Sequence, residues 1–360
     1  MSAPAVFQTG YILNPRADAL WFIGLPFLAV AFAFGAQAWL PFAALGALHL
    51  WVTVPHHYVT WIRTYGHQPD WERFKEKLTF GPIVIAAIAG LSFFTAPLTL
   101  LAVILVWDVQ HGLMQQHGFG RIYDFKAKTG APSTRRFDLS LHAVLYINMY
   151  LASPLFTQTV WVPTLYSWGF TVTPAQLAMV QTVSWTVTGA MGVAYLGHLA
   201  WCLANGHKLN PLKFAFIAGS YFLWYFTAWQ TNSILIWGIA HRLMHGLQYI
   251  VMVHSYMRRQ ADDRGIQPAL TAKLFERGHL HWFAGSALLY AFAYQVLVAS
   301  PISDFGFGYV ETFRLGALVD EIPVLTQIRV VLIAEIFQLV HFYVDSFIWK
   351  VSDKRVQQKL

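Results

Sequence analysis

Fifteen histidines are the residues of this 360-residue chain that are best suited to chemistry. Imidazole is the commonest metal ligand in proteins, and histidine is costly in hydrocarbon unless it has a task. In four apolar stretches histidine recurs with other polar residues at helical spacing, so each stretch presents a polar stripe on one helix face. The stripes comprise His49, His56 and His57 in the first stretch, Asp108, His111 and Gln115 in the second, His241, His245 and Gln248 in the third, and Gln338, His341 and Asp345 in the fourth.

Convergence of these four stripes predicts a metal site with histidine and carboxylate ligands. Two histidines four residues apart, such as His241 and His245, can bind one ion from a single helix, and helix bundles collect ligands from facing helices. Neutral imidazole combined with carboxylate suits an iron ion that activates oxygen. We therefore expect one or two non-haem iron ions. The candidate ligands are His56, His57, His111, His117, His241, His245, His341, Asp108 and Asp345.

Neighbours of the candidate ligands are expected to have supporting roles. Because His56 and His57 are adjacent in the sequence, one of them must point away from the site. Arg242, which follows His241, is a candidate ion-pair partner for one of the intramembrane acids. Glu335 is a further carboxylate that could help to hold a second ion.

The composition indicates that the elements positioning these residues are membrane helices. Hydrophobic residues make up 56% of the chain and aromatic residues 16%, whereas charged residues make up only 11%, against roughly 25% in an ordinary soluble domain. These numbers exclude a water-soluble fold of this size and a disordered chain. The single cysteine, Cys202, excludes a disulfide framework and a cysteine-based metal site. We expect an all-α, polytopic integral membrane helix bundle that forms one domain over residues 1–360.

Ten apolar segments are long enough to cross a bilayer, which takes roughly 20 mostly apolar residues. The predicted transmembrane segments are 18–39, 42–63, 79–96, 98–119, 138–155, 176–204, 211–230, 233–257, 280–299 and 325–349. Most of the 24 Lys and Arg residues follow even-numbered segments, so the positive-inside rule places both termini in the cytoplasm. No cleavable signal peptide is evident, so we expect the first segment to remain as an anchor. The predicted location is the inner membrane of a bacterium.

All fifteen histidines lie on or nearer to the predicted cytoplasmic side, so the site would open toward that leaflet. The net charge of +7 follows from this topology and from contact with anionic lipid headgroups, without a nucleic-acid partner. A transport path should carry polar groups through both leaflets, whereas the outer half here is nearly all apolar, which favours an enzyme. A cation or proton transporter and a haem-binding electron-transfer protein are the alternatives.

These motifs resemble those of membrane iron oxygenases. In the bacterial Brp/Blh-type β-carotene dioxygenases, iron is held by an early histidine, a second in a following helix and a late pair four residues apart; the positions here that match are His56, His111, His241 and His245. More distantly, the His56–His57 doublet is similar to the histidine boxes of membrane desaturases and hydroxylases, although no HxxHH box occurs. The resemblance implies a membrane iron oxygenase with a lipid-soluble substrate from the bilayer. A hydroxylase or desaturase would also need a cytoplasmic electron donor, which a dioxygenase would not.

Overall fold

The computed structural model describes residues 6–95, 97–262, 269–299 and 335–359. Within these ranges the chain is 85% helical without strands, which confirms the all-α prediction. An isolated parallel bridge joins Phe7 to Leu209. The helices are α1 Pro15–Trp39, α2 Phe42–Thr64, α3 Gln68–Thr95, α4 Pro97–Ala127, α5 Thr134–Ala152, α6 Pro154–Tyr166, α7 Pro174–Ala204, α8 Pro211–Gln230, α9 Ile234–Asp262, α10 Ala269–Phe275, α11 Leu280–Ala299, α12 Ile336–Ile348 and α13 Lys354–Lys359.

Several helices begin where a short polar residue precedes a proline. In each case the polar side-chain oxygen accepts a hydrogen bond from a backbone N–H of the first turn, and the proline occupies a position whose N–H would have no helical partner. These capping residues are Asn14, Ser153, Thr173 and Asn210. The sequence therefore fixes the starts of α1, α6, α7 and α8 locally.

The predicted apolar segments are almost entirely helical where the structure describes them, with a break at Ser153 inside segment 138–155. Among the described residues, α1, α3 and α7 are long and apolar enough to cross a membrane, and α5 with α6, bent by 58°, would provide a fourth span if the pair acts as one. Helix α9 does not pass the same test, because its histidines and arginine lower its hydropathy. Residues 325–334 of the tenth predicted segment lie outside the described part of the chain. The apolar helices suit association with a membrane.

The described residues divide into two compact units. The first unit is drawn from Met1–Phe34 and Gly112–His241, and the second from Gly35–His111 and Arg242–Leu360. Each unit therefore combines segments that are far apart in the sequence. The prediction of one domain over residues 1–360 stays a prediction.

The first unit contains a buried network of opposite charges. The ammonium group of Lys213 in α8 lies 2.9 Å from carboxylate oxygens of both Asp124 and Asp138. Arg121 pairs with Asp124 at 2.7 Å, and the Tyr195 hydroxyl donates to Asp138 at 2.7 Å. Because the lysine and both carboxylates are almost fully buried, each charge depends on its partners. The network ties α4, α5, α7 and α8 together.

The second unit holds its helices together through apolar contacts. The residues buried around α9 are Val59, Tyr249, Val253, Tyr256, Met257, Phe275 and Phe283. The residues buried around α12 are Leu78, Val340, Val344, Phe347 and Ile348, together with Ala89, Leu100, Ile104, Leu339 and Phe342. These contacts pack α9 against α2, α10 and α11, and α12 against α3 and α4, which sets the positions of the four helices that carry polar stripes.

We predict that Lys213→Ala destabilises the protein by about 3–5 kcal/mol, because it leaves two buried carboxylates without their shared cation. The change should appear as a lower midpoint of thermal unfolding for the purified protein in detergent. Lys208→Ala is the matched control, since Lys208 is exposed and only five positions away. Equal midpoints for the two variants would contradict a supporting role for the network.

Candidate metal centre

Four buried histidines from four helices come together in the second unit. His56 lies on α2, His111 on α4, His245 on α9 and His341 on α12, and one ligand nitrogen from each lies within 4.8 Å of the other three. We call this set the histidine cluster. In a tetrahedral site with bonds of about 2.1 Å, ligand nitrogens are about 3.4 Å apart. Binding of a single ion would therefore require the four nitrogens to move closer together.

The four imidazole rings form a closed circuit of neighbours. The ring centroids of His56 and His341 are 4.7 Å apart, and those of His341 and His111 are 5.0 Å apart. His111 lies 5.0 Å from His245, which in turn lies 5.2 Å from His56. Each helix thus contributes one ring to a shared central point, which is the arrangement a bundle uses to hold a metal ion.

In the rings of His56 and His341, a hydrogen bond at Nδ1 leaves Nε2 directed toward the centre of the cluster. The Nδ1 of His56 pairs with the backbone carbonyl of Thr53, so it must carry the proton. The Nδ1 of His341 lies 2.9 Å from the Thr60 hydroxyl. Within the described part of the chain, the buried Nε2 atoms of His56, His111 and His341 have no hydrogen-bond partner. Lone pairs left in this way are suited to metal binding.

Asp345 connects the cluster to a hydroxyl network. Its Oδ2 lies 3.6 Å from the Nε2 of His341 and 3.9 Å from that of His111. Its Oδ1 accepts hydrogen bonds from Tyr249 at 2.7 Å and from Thr60 at 3.2 Å. The Thr60 and Tyr249 hydroxyls also lie 2.7 Å apart. When Thr60 donates within this hydroxyl and carboxylate network, it accepts from the Nδ1–H of His341, and this tautomer leaves the Nε2 of His341 available.

His57 lies beside the cluster without being a member of it. Its ring is 4.4 Å from that of His56 and 4.7 Å from that of His341. Among the described residues, neither of its buried ring nitrogens has a hydrogen-bond partner. The expectation that only one residue of the doublet faces the centre agrees with this geometry, and His56 is that residue.

Three other candidate ligands have different surroundings. Asp108 forms an ion pair of 2.8 Å with Arg242. Arg242 is the residue that the sequence analysis predicts as a partner for one of the intramembrane acids. His241 belongs to the first unit, where the indole N–H of Trp224 donates to its Nδ1 at 2.8 Å and the Trp237 ring stacks against it.

His117 also belongs to the first unit and is not part of the histidine cluster. Its ring lies edge-on to that of His142, with 5.9 Å between the ring centroids. The Nδ1 of His142 lies 3.0 Å from the Tyr221 hydroxyl. His117 therefore packs against a histidine that is itself bonded to Tyr221, away from the cluster residues.

Sequence reasoning missed Thr60 and Tyr249, although a pattern in the sequence could have revealed them. Thr60 follows His56 by four residues, Tyr249 follows His245 by four, and Asp345 follows His341 by four. Residues at this spacing lie on the same helix face, one turn apart. A polar residue one turn after three of the four histidines therefore marks the groups that support the cluster.

We predict that His245→Ala abolishes binding of the metal, whereas His241→Ala retains it. Only the first substitution removes a member of the histidine cluster, although both residues fit the i, i+4 pair equally well in the sequence. Metal content after anaerobic loading with Fe(II), measured by elemental analysis, compares the two variants. Loss of metal from His241→Ala, or full retention by His245→Ala, would contradict this assignment.

We predict that Thr60→Val weakens metal affinity by about 10–100-fold, the range typical of removing a partner that orients a ligating histidine. Valine keeps the shape of threonine and removes the hydroxyl that holds His341. Thr64→Val is the matched control, because the Thr64 hydroxyl bonds to the carbonyl of Thr60 within the same helix. Competition with a metal chelator gives the affinities, and equal values for both variants would exclude the orienting role.

Comparison with known proteins adds no further assignment: no family model, no curated protein and no solved structure matches this chain significantly.

Proposed function

We propose that this chain is a membrane-embedded, metal-dependent oxidoreductase whose metal ion, iron, is bound by the histidine cluster. The observation that carries the proposal is the convergence of four buried imidazoles from four helices on one point. Histidines that merely join helices would need hydrogen-bond partners, and three of these four have an Nε2 atom for which the described residues supply none. A metal ion would satisfy all of them at once.

The chemistry of the donor set supports iron and an oxygen-dependent reaction. Imidazole binds several transition metals, whereas the additional carboxylate of Asp345 near two of the rings favours a harder ion such as iron. Bound iron would supply oxygen activation. The protein's own side chains would hold the ion, orient it through Thr60 and Asp345, and keep bulk water from the reacting groups.

A haem group fits this arrangement less well than a single non-haem ion. In haem the porphyrin nitrogens occupy four positions around the iron, and histidines approach only from the two faces. The four rings of the cluster surround one point and would collide with a macrocycle placed there. A transporter is also less favoured, because tight ligation by four histidines would retain an ion rather than release it.

The substrate we propose is a lipid-soluble molecule that enters from the bilayer. This accords with the apolar composition and with the membrane-competent helices α1, α3 and α7. We further propose the ten-span topology, with both termini in the cytoplasm of a bacterium and the cluster in the cytoplasmic half of its inner membrane.

The likeness to Brp/Blh-type dioxygenases pairs His241 with His245, whereas the cluster takes its fourth histidine from α12. The proposal therefore depends on the cluster and not on that likeness.

We predict that the full chain, purified anaerobically, binds iron in equimolar amount to protein and lacks a Soret band. After reduction it should bind nitric oxide at the iron, because open positions must remain for oxygen. Elemental analysis, optical spectra and electron paramagnetic resonance (EPR) test these points, with His245→Ala as the control that lacks the site. A Soret band would contradict the proposal and indicate a haem protein. Absence of any stoichiometric metal would instead favour a transporter or purely structural histidines.

A further inference from the structure

Tyr249 has a position that a structural hydrogen bond alone does not explain. We propose that it is a redox-active residue that delivers one electron to the metal ion of the histidine cluster, while Asp345 takes up its phenolic proton. This inference rests on the proposed function and deepens it, because it specifies how electrons reach the centre.

The phenol ring lies against the cluster. Its centroid is 5.9 Å from the ring of His341 and 6.2 Å from the ring of His56, and the residue is buried. Electron transfer through protein weakens steeply with distance, so contact between the phenol and two ligating rings allows a fast transfer. Asp345 adds a second path, because one of its oxygens faces the cluster and the other accepts the hydrogen bond from Tyr249.

The hydrogen bond to Asp345 gives the phenolic proton a destination. A phenol that loses an electron becomes strongly acidic, and an uncompensated positive charge is costly in a buried, apolar setting. The 2.7 Å hydrogen bond from the Tyr249 hydroxyl to Oδ1 of Asp345 is already formed, so the proton can cross without any rearrangement. The product is a neutral tyrosyl radical beside a carboxylic acid.

A positive charge on the other side of Tyr249 hinders oxidation of the aromatic rings that lie beyond it. The indole N–H of Trp349 donates to the Tyr249 hydroxyl at 3.2 Å, so the tryptophan is the next oxidisable ring. The guanidinium of Arg63 lies over that indole at 3.6 Å and over the ring of Tyr256 at 4.5 Å. A fixed cation disfavours a second positive charge on either ring. Oxidation of these two rings by Tyr249 is therefore disfavoured.

The proposed step balances in atoms and electrons. Tyr249 loses one electron to the ion that the histidine cluster would hold, which dioxygen would first have oxidised. The O–H bond of Tyr249 breaks, and its proton forms an O–H bond with the Asp345 carboxylate. A one-electron donor protein with an acidic surface, suited to the basic loops, then reduces the radical, and the proton returns from Asp345 to the phenolate oxygen. Dependence on such a donor favours a hydroxylase, desaturase or oxidase over a dioxygenase.

The test uses the full chain in its iron-bound form. Anaerobically reduced protein is mixed with dioxygen and frozen at short times, and organic radicals are recorded by EPR. We expect a tyrosyl signal in the unmodified chain that narrows when the protein contains ring-deuterated tyrosine, and that disappears in Tyr249→Phe. Tyr256→Phe is the matched control, because it removes from the same helix a hydroxyl that accepts a hydrogen bond from the Gln260 side-chain amide, and its signal should persist.

Iron content, measured for every variant, separates the possible failures. If the unmodified chain binds no iron, the proposed function and this inference both fall. If Tyr249→Phe binds iron as well as the unmodified chain does but keeps the radical signal, this inference alone is overturned. The same holds if the iron-bound, unmodified chain reacts with dioxygen without forming a tyrosyl radical.

Discussion

The second unit depends on the burial of several imidazole nitrogens side by side without hydrogen-bond partners among the described residues. An unsatisfied buried polar atom costs about 1–3 kcal/mol, and the Nε2 atoms of His56, His111 and His341 are all of this kind. A fold that assembles them from four helices therefore works against its own stability unless something binds at the centre. Metal binding would reverse this cost, because its free energy would add directly to that of folding.

The contacts around the cluster keep these rings in place. Helices α9 and α12 are packed on their outer faces by two separate sets of buried apolar residues, so neither can rotate to relieve the strain of the polar face. The buried Arg63 fixes the end of α12 by donating to the carbonyl of Ile348 at 2.8 Å. A cation that bonds to the last carbonyls of a helix satisfies groups that the helix itself leaves open. The four histidines are thus held in place by apolar packing and by a helix-end hydrogen bond.

Much of the helix content and four of the nine candidate ligands that form the cluster could be predicted from the sequence, because apolar length and polar stripes are local properties. The choice between His241 and His245 could not. Both share one face of α9 closely enough to fit a pair, and a rotation set by tertiary packing directs one to the cluster and the other to Trp224. The role of Thr60 was not predicted, because a lone hydroxyl in an apolar helix usually bonds to its own backbone. The start of α3 at Gln68 was not predicted, because the first turns of that helix are polar and the search was for apolar segments.

The two acids of the predicted site illustrate how charge decides which of them can serve a metal ion. Four neutral imidazoles around a divalent cation leave its charge of two uncompensated, which is very costly in a buried setting. The charge of Asp108 is already matched by Arg242 at 2.8 Å. Among the described residues, Asp345 instead accepts hydrogen bonds from two neutral hydroxyls, those of Tyr249 and Thr60, and its other oxygen lies within 4 Å of two rings of the cluster. The Asp345 carboxylate would therefore have two roles. It would offset the charge of the ion, and it would accept the phenolic proton of Tyr249 when that residue delivers an electron.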